Sequence, residues 1–224
     1  MPRRVGSWWI KDGSDGRRIE AQGFGSLLEG LSQFAWTEDH GDNGVVEKDF
    51  VDTASYVERS DSVAALVMSS HGSPSGFAVW DGYVSTGDAV DFGKSDLVVF
   101  ATHACGLLEH TPENSVGRWI PAFERLHYMF GFHDSSYSGG GQEPRGALLA
   151  SYAAWLHYTF SGVFDMPMRE AWAEANEIVE DAGVHWAYLR VSSDEENTYH
   201  ERLRVEEPAD PGTGRTFFTA RGTC

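Results

Sequence analysis

Cysteine is scarce: Cys105 and Cys224 are the only two in 224 residues, too few for a disulfide framework. A single bridge between them is not expected either, because Cys224 is the last residue and chain ends fray. Basic residues are also short, 17 Lys and Arg against 34 Asp and Glu, for a formal charge of −17. That balance argues against a nucleic-acid partner, whose phosphates need clustered cations. It suits solubility, a salt-rich setting or a basic partner. No apolar run is long enough to span a bilayer. After Met1-Pro-Arg-Arg the apolar stretch reaches only from Val5 to Ile10, broken by Gly6 and Ser7, which is not a signal-peptide pattern. The terminal Gly-Thr-Cys is not a prenylation box. A cytoplasmic protein with no membrane partner is expected. Gly139-Gly140-Gly141 lacks the Lys and Ser/Thr that would follow in a P-loop, Gly-x-Ser-x-Gly does not occur, and there is no internal repeat.

What is present is a core. Hydrophobic residues make up 41 % and aromatics 13 %, enough for a globular chain of this length. Two continuous apolar runs, Ala64 to Met68 and Leu97 to Ala101, predict strands buried on both faces, as in a parallel sheet. Trp8 to Ile10, Tyr128 to Phe132 and Trp186 to Val191 predict further strands. Phe77 to Trp80, Asp81-Gly82 and Tyr83 to Ser85 predict a hairpin with a two-residue turn. Helices are expected over Gly25 to Phe34, Trp119 to Leu126 with Pro121 in the first turn, Ala147 to Phe160 and Met168 to Ala182. Lys11 to Gly16, Thr37 to Glu47 and Ser135 to Gly146 read as loops. Alternating strands and helices predict one α/β domain, with its core over residues 1–191 and a polar extension over 192–224.

The two strongest strands end on chemically competent residues. One runs out at Ser69-Ser70-His71-Gly72, the other at Thr102-His103-Ala104-Cys105-Gly106. Ligands of open α/β sheets bind beyond the carboxyl ends of the strands. If the two are parallel neighbours, His71 and Cys105 project from one edge. A thiol needs a base or cation beside it to become a useful nucleophile, and imidazole is the usual one. Gly72 would let the backbone approach a substrate closely.

His-Gly after one apolar strand and Ala-Cys-Gly after the next resemble the superfamily of caspases, legumains, gingipains and clostripain. The resemblance implies a three-layer α-β-α sandwich with a mostly parallel central sheet. It also implies Cys105 as nucleophile, His71 as acid/base, and an oxyanion hole from the N–H groups of Gly72 and Cys105. Tyr56-Val57, Trp119 to Phe123, Leu126 to Phe132 and Arg169-Glu170-Ala171-Trp172 resemble an uncharacterised group of bacterial caspase-like domains. The Gln-Ala-Cys-Arg-Gly box of caspases is absent, and Gly106-Leu107-Leu108-Glu109 stands in its place.

The remaining polar residues have bland readings beside sharp ones. His103 either lines the pocket or orients a neighbour. His133 and Asp134, beyond the third strand, either meet substrate or cap a loop. His103, Cys105 and His110 do not match a zinc spacing, so no metal is expected. Asp81 and Asp88 lie near the His71 loop, and hairpin chemistry explains Asp81. Trp119, Trp155, Trp172 and Trp186 read as packing, and Glu195-Glu196 and Glu206-Glu207 as a solvated face. No cofactor is expected. The functional expectation is a cysteine-dependent enzyme acting on a peptide or small-molecule acyl substrate, with a basic one favoured by the surface charge. Transfer to an amine acceptor, as in a tailoring enzyme, shares the first step. A non-catalytic binding module would keep the fold and lose turnover.

Overall fold

A computed structural model describes residues 1–11, 15–51, 59–88, 90–136, 144–154, 157–159, 162–193, 198–204 and 214–224. Asp12 to Ser14, Tyr56-Val57, Gly139 to Gly141, Trp155, Glu195-Glu196 and Glu206-Glu207 lie outside the described residues.

The apolar runs become the middle of one sheet. The elements are β1 (Arg3–Trp9), α1 (Gly16–Glu29), β2 (Phe34–Gly41), β3 (Ala65–Ser69), β4 (Gly72–Ser73), β5 (Gly76–Val79), β6 (Gly82–Ser85), β7 (Val99–His103) and β8 (Tyr128–Phe132). Then come α2 (Arg145–Ala154), β9 (His157–Thr159), β10 (Gly162–Phe164), α3 (Met168–Val179), β11 (His185–Ser192) and β12 (Thr216–Thr223). The seven-stranded sheet has the order β12-β11-β8-β7-β3-β1-β2. Its strands from β2 to β8 are parallel neighbours, and β11 is antiparallel to both β8 and β12. Every residue of β3, β7 and β8 is buried, as continuous apolar runs require. The parallel order reverses between β1 and β3, the kind of switch point beyond which ligands bind.

Alternation along the strands sorts the core into two halves. Val5, Ala65, Val67, Val99, Ala101 and Phe130 face α1, α2 and α3, with Phe24, Leu149 and Trp172 packed on them. Leu66, Met68, Phe100 and Met129 face the other way, onto Phe50, Phe77, Phe92 and Trp119. The expected α/β class and mostly parallel sheet are present, and the second face has its own cover. Among the described residues it is covered by the β4-β5-β6 sheet, 3-10 turns and loops, while α1, α2 and α3 all lie on the first face.

Several local expectations are corrected. The helix predicted over Gly25 to Phe34 is α1, which begins at Gly16 and ends before β2. The loop predicted over Thr37 to Glu47 carries most of β2, an edge strand whose exposed Thr37 and Asp39 break any apolar pattern. Trp119 lies in a 3-10 helix, Val116–Ala122, with Pro121 inside it. The helix expected to run to Phe160 stops at Ala154. In the β5-β6 hairpin Val79 pairs with Gly82, so the two-residue loop is Trp80-Asp81, one position early. The polar extension supplies β12, which pairs with β11 along its whole length. Cys224 is therefore tied down, its N–H donating to the Val184 carbonyl (2.9 Å), and both cysteines are free thiols.

Helices α1 and α2 meet backbone to backbone. A Cβ on Gly146 would stand 2.1 Å from the Glu20 carbonyl oxygen and 2.9 Å from the Phe24 nitrogen. Gly146→Ala should destabilise the protein by about 1–3 kcal/mol, because the clash is with a helix backbone and outweighs the roughly 1 kcal/mol that alanine gains in helix propensity. A lower urea midpoint at unchanged slope is the expected result. An unchanged midpoint would show that the helices separate freely.

Candidate functional site

Strands β3 and β7 pair in register from Ala65↔Val99 to Ser69↔His103, a constant offset of 34 residues. His71 and Cys105 have the same offset and follow the last pair by two residues on each chain. The Ser70 N–H donates to the His103 carbonyl (3.1 Å), so the two segments remain joined just past the strands. Beyond that bond Gly72 packs on the other segment: a Cβ there would lie 2.7 Å from Ala104 Cβ and 2.8 Å from the Cys105 carbonyl oxygen. Any other residue at position 72 would push the His71 segment off the Cys105 segment. His71 and Cys105 thus stand past the carboxyl ends of neighbouring strands at one sheet edge, with β3 bordering the switch point.

Each of the two has its own polar partner. The half-buried Cys105 thiol donates to the Ser136 carbonyl (3.2 Å), and the Ser136 N–H donates back to Sγ (3.4 Å). The exposed His71 ring meets Arg17, whose guanidinium donates to Nδ1 (3.2 Å) and to the Ser70 carbonyl (2.5 Å). Since guanidinium only donates, Nδ1 accepts and the ring proton sits on Nε2. The Cys105 N–H has no acceptor among the described residues.

Directly behind this edge the helical face holds buried charge. Arg17, Glu20, His103, Arg145, Ser136 and Glu180 are all buried. Glu20 takes the His103 Nδ1–H, a hydrogen bond from Ser69 Oγ (3.2 Å) and the Arg145 guanidinium at 3.5 Å. Arg145 also pairs with Glu180, whose same oxygen accepts from Ser136 Oγ. Burial, and then Arg145, pull the His103 pKa down to about 4, against the opposing pull of Glu20.

The other expected site residues separate. His103 lines a small cavity under the edge with Glu20, Ser69, Arg145 and Trp172, rather than facing solvent. Asp134 and His133 follow β8 at the same edge. Asp134 binds His185, while its carbonyl accepts the Gly106 N–H (2.8 Å). His133 accepts from the His110 N–H (3.0 Å) and contacts Arg221 (2.6 Å), and burial lowers its pKa. His110 Nδ1 accepts from the Val116 N–H (3.3 Å), so His103, Cys105 and His110 have separate partners. Near the hairpin, Asp81 and Asp88 accept from the N–H groups of Glu47 (2.9 Å) and Ser85 (2.6 Å).

Arg17, Glu20, Ser136, Arg145 and Glu180 were not singled out from the sequence. One signal was available: α1 and α2 each carry arginine and no acid in the first turn, the positive end of the helix dipole. A cation there is unfavourable unless buried acids hold it.

The buried neutral His103 makes stability pH-dependent. Its folded-state pKa near 4 lies below the ordinary 6.5. Between those values the unfolded chain holds a proton that the folded chain does not. The folded state therefore loses stability as pH falls from about 6.5 towards 4, by up to about 1.4 kcal/mol per pH unit from this group. Urea midpoints measured from pH 7 to 5 should fall, and His103→Gln should flatten that fall. An equally steep fall in the variant would assign it to other groups.

No curated protein matches the chain. A family profile described as a domain of unknown function, DUF6345, matches residues 7–222, from within β1 to within β12. This span takes in the paired strands, the three helices and the edge that carries His71 and Cys105, and the chain is a member of the DUF6345 family.

Proposed function

We propose that this protein is a cysteine-dependent enzyme of caspase-like fold that cleaves a peptide or related acyl bond through Cys105 and His71. The observation that carries this reading is the shared offset of 34 residues, which sets the imidazole and the thiol on adjoining strand ends with Gly72 packed on the Cys105 backbone. Their place past the carboxyl ends of the strands, with β3 bordering the switch point, supports it, being the usual ligand position of such sheets.

Cys105 gives its proton to His71 and attacks the carbonyl carbon, forming an S–C bond. The oxyanion is held by the N–H groups of Gly72 and Cys105. The C–N bond breaks, the leaving amine takes the proton from His71, and water then hydrolyses the thioester with His71 as base. His71 gains its second proton at Nδ1, so the Arg17 contact opens during the cycle. The excess of carboxylates favours a basic substrate.

The second cysteine provides an internal control. Burial, and then Glu180, push the Cys224 thiol up to about 11. Iodoacetamide at pH 8 should therefore modify Cys105 well before Cys224, and His71→Ala should slow the Cys105 reaction at least tenfold. Electrophilic acyl probes should leave a Cys105 adduct by mass spectrometry, absent in Cys105→Ala. A Cys105 as inert as Cys224, with no adduct, would refute the catalytic reading.

A further inference from the structure

The overall excess of carboxylates draws cations to the whole molecule, but one carboxylate stands over the residue that follows Cys105. Gly106 is buried, and a Cβ there would have Pro74 Cδ at 3.6 Å and Glu109 Oε2 at 3.9 Å among its nearest neighbours. Pro74 belongs to the turn between β4 and β5, just after His71-Gly72, so Glu109 lies where the two segments of the dyad meet. Its carboxylate is held from one side only. Oε1 accepts from Asn114 Nδ2 (3.0 Å) and Thr111 Oγ1 (3.4 Å), while Oε2, the oxygen over Gly106, accepts no hydrogen bond among the described residues. Asp134, the other acid beside Gly106, has its carboxylate on His185. The Arg118 guanidinium donates to the main-chain carbonyls of Leu107, Glu109 and Ser115 rather than to the Glu109 carboxylate.

We propose that Glu109 is a specificity-determining residue that takes the cationic side chain of a lysine or arginine next to the bond Cys105 attacks. The proposal rests on the reading of Cys105 as the nucleophile and names the substrate class for it. A carboxylate with one oxygen fixed and the other unpartnered offers a charge-assisted hydrogen bond at a set position. The half-buried Pro74 ring beside it gives the aliphatic stem of such a side chain an apolar surface to lie on, while the charged head reaches Oε2. An anionic side chain there would meet Glu109 at close range. The Glu109 N–H closes the turn after Cys105 on the Gly106 carbonyl (2.9 Å), so the carboxylate and the thiol belong to one turn. Net charge acts on every face of the molecule, whereas Glu109 acts at this point alone.

The test compares the trimethylammonioethyl, sulfonatoethyl and neutral methyl methanethiosulfonates on the full-length chain. Each forms a mixed disulfide with the Cys105 sulfur and releases methanesulfinate, and peptide mass spectrometry reads the Cys105 adduct alone. Dividing by the neutral reagent's rate removes any change in the intrinsic reactivity of the thiol. The cationic reagent should react faster than the anionic one, and Glu109→Gln should lower that ratio by about threefold or more. Glu109→Asp, which keeps the charge, should keep most of the ratio. Glu174→Gln, which removes an exposed carboxylate from α3, should leave it unchanged. Circular dichroism checks folding, and Glu109→Ala decides the matter if Glu109→Gln does not fold. An unchanged ratio on loss of the Glu109 carboxylate overturns the inference. So does an equal fall in Glu174→Gln, which would assign the preference to net charge, and so does a Cys105 that none of the reagents modifies. The outcomes separate from those of the proposed function: a ratio that depends on Glu109 without any acyl adduct keeps the cation subsite and removes the enzyme. An acyl adduct with a ratio indifferent to Glu109 does the reverse.

Discussion

Parallel hydrogen bonding between β3 and β7 sets the geometry on which the rest of the site depends. Parallel pairing makes the spacing of two residues along the chain equal to a spacing in space only when the register is constant, and here it holds at 34 across all five pairs. A slip of one residue would turn every side chain of one strand to the opposite face. The apolar alternation forbids it, because Ala65, Val67, Val99 and Ala101 serve the helical half of the core while Leu66, Met68 and Phe100 serve the other. The same alternation carries Ser69 and His103 onto the helical side, where α1 supplies Glu20 to both. Packing that stabilises the sheet therefore also decides what His71 and Cys105 stand beside.

Buried charge is the second constraint, and it is expensive. Two arginines, two glutamates and a neutral histidine lie behind the edge, among aromatic rings such as Phe132 and Trp172. A buried ion pair adds little net stability compared with well-packed apolar residues, whereas removing one partner typically costs about 3–5 kcal/mol. The network thus interlocks the start of α1, the start of α2 and the end of α3 more than it strengthens them. The contact of Gly146 with the α1 backbone brings Arg145 close enough to reach both Glu20 and Glu180. The buried charges of the helical layer lie directly behind the strand ends that carry the thiol and the imidazole.

Central elements were far more legible in the sequence than peripheral ones. Leucine, valine and phenylalanine runs announced β3, β7 and β8, because a strand covered on both faces must be apolar throughout. The edges β2 and β12 were missed for the complementary reason: a strand with one open side carries polar and charged residues that discourage pairing with another chain. The segment from Trp119 to Leu126 was misread because Trp119, Phe123 and Leu126 have helical spacing, yet only a 3-10 turn forms there around Pro121. Proline and the need to seat large aromatics under a short connection outweigh that local periodicity.

By itself the sequence determined an α/β chain, three buried strands, and the placement of His71-Gly72 and Cys105-Gly106 just past two of them. These are consequences of local pattern: runs of apolar residues, punctuation by glycine, and the short reach of strand formation. Only the tertiary structure decided that β3 and β7 are neighbours, that their offset equals that of the histidine and the cysteine, and that Arg17 and Ser136 meet these two residues. It also decided that Glu20, Arg145 and Glu180 are buried rather than solvated. Strand pairing and the burial of charge depend on contacts between residues tens to more than a hundred positions apart, as between Ser136 and Glu180 or Arg17 and His71. No local pattern encodes them, since an arginine in a helix's first turn reads the same whether water or a carboxylate receives it.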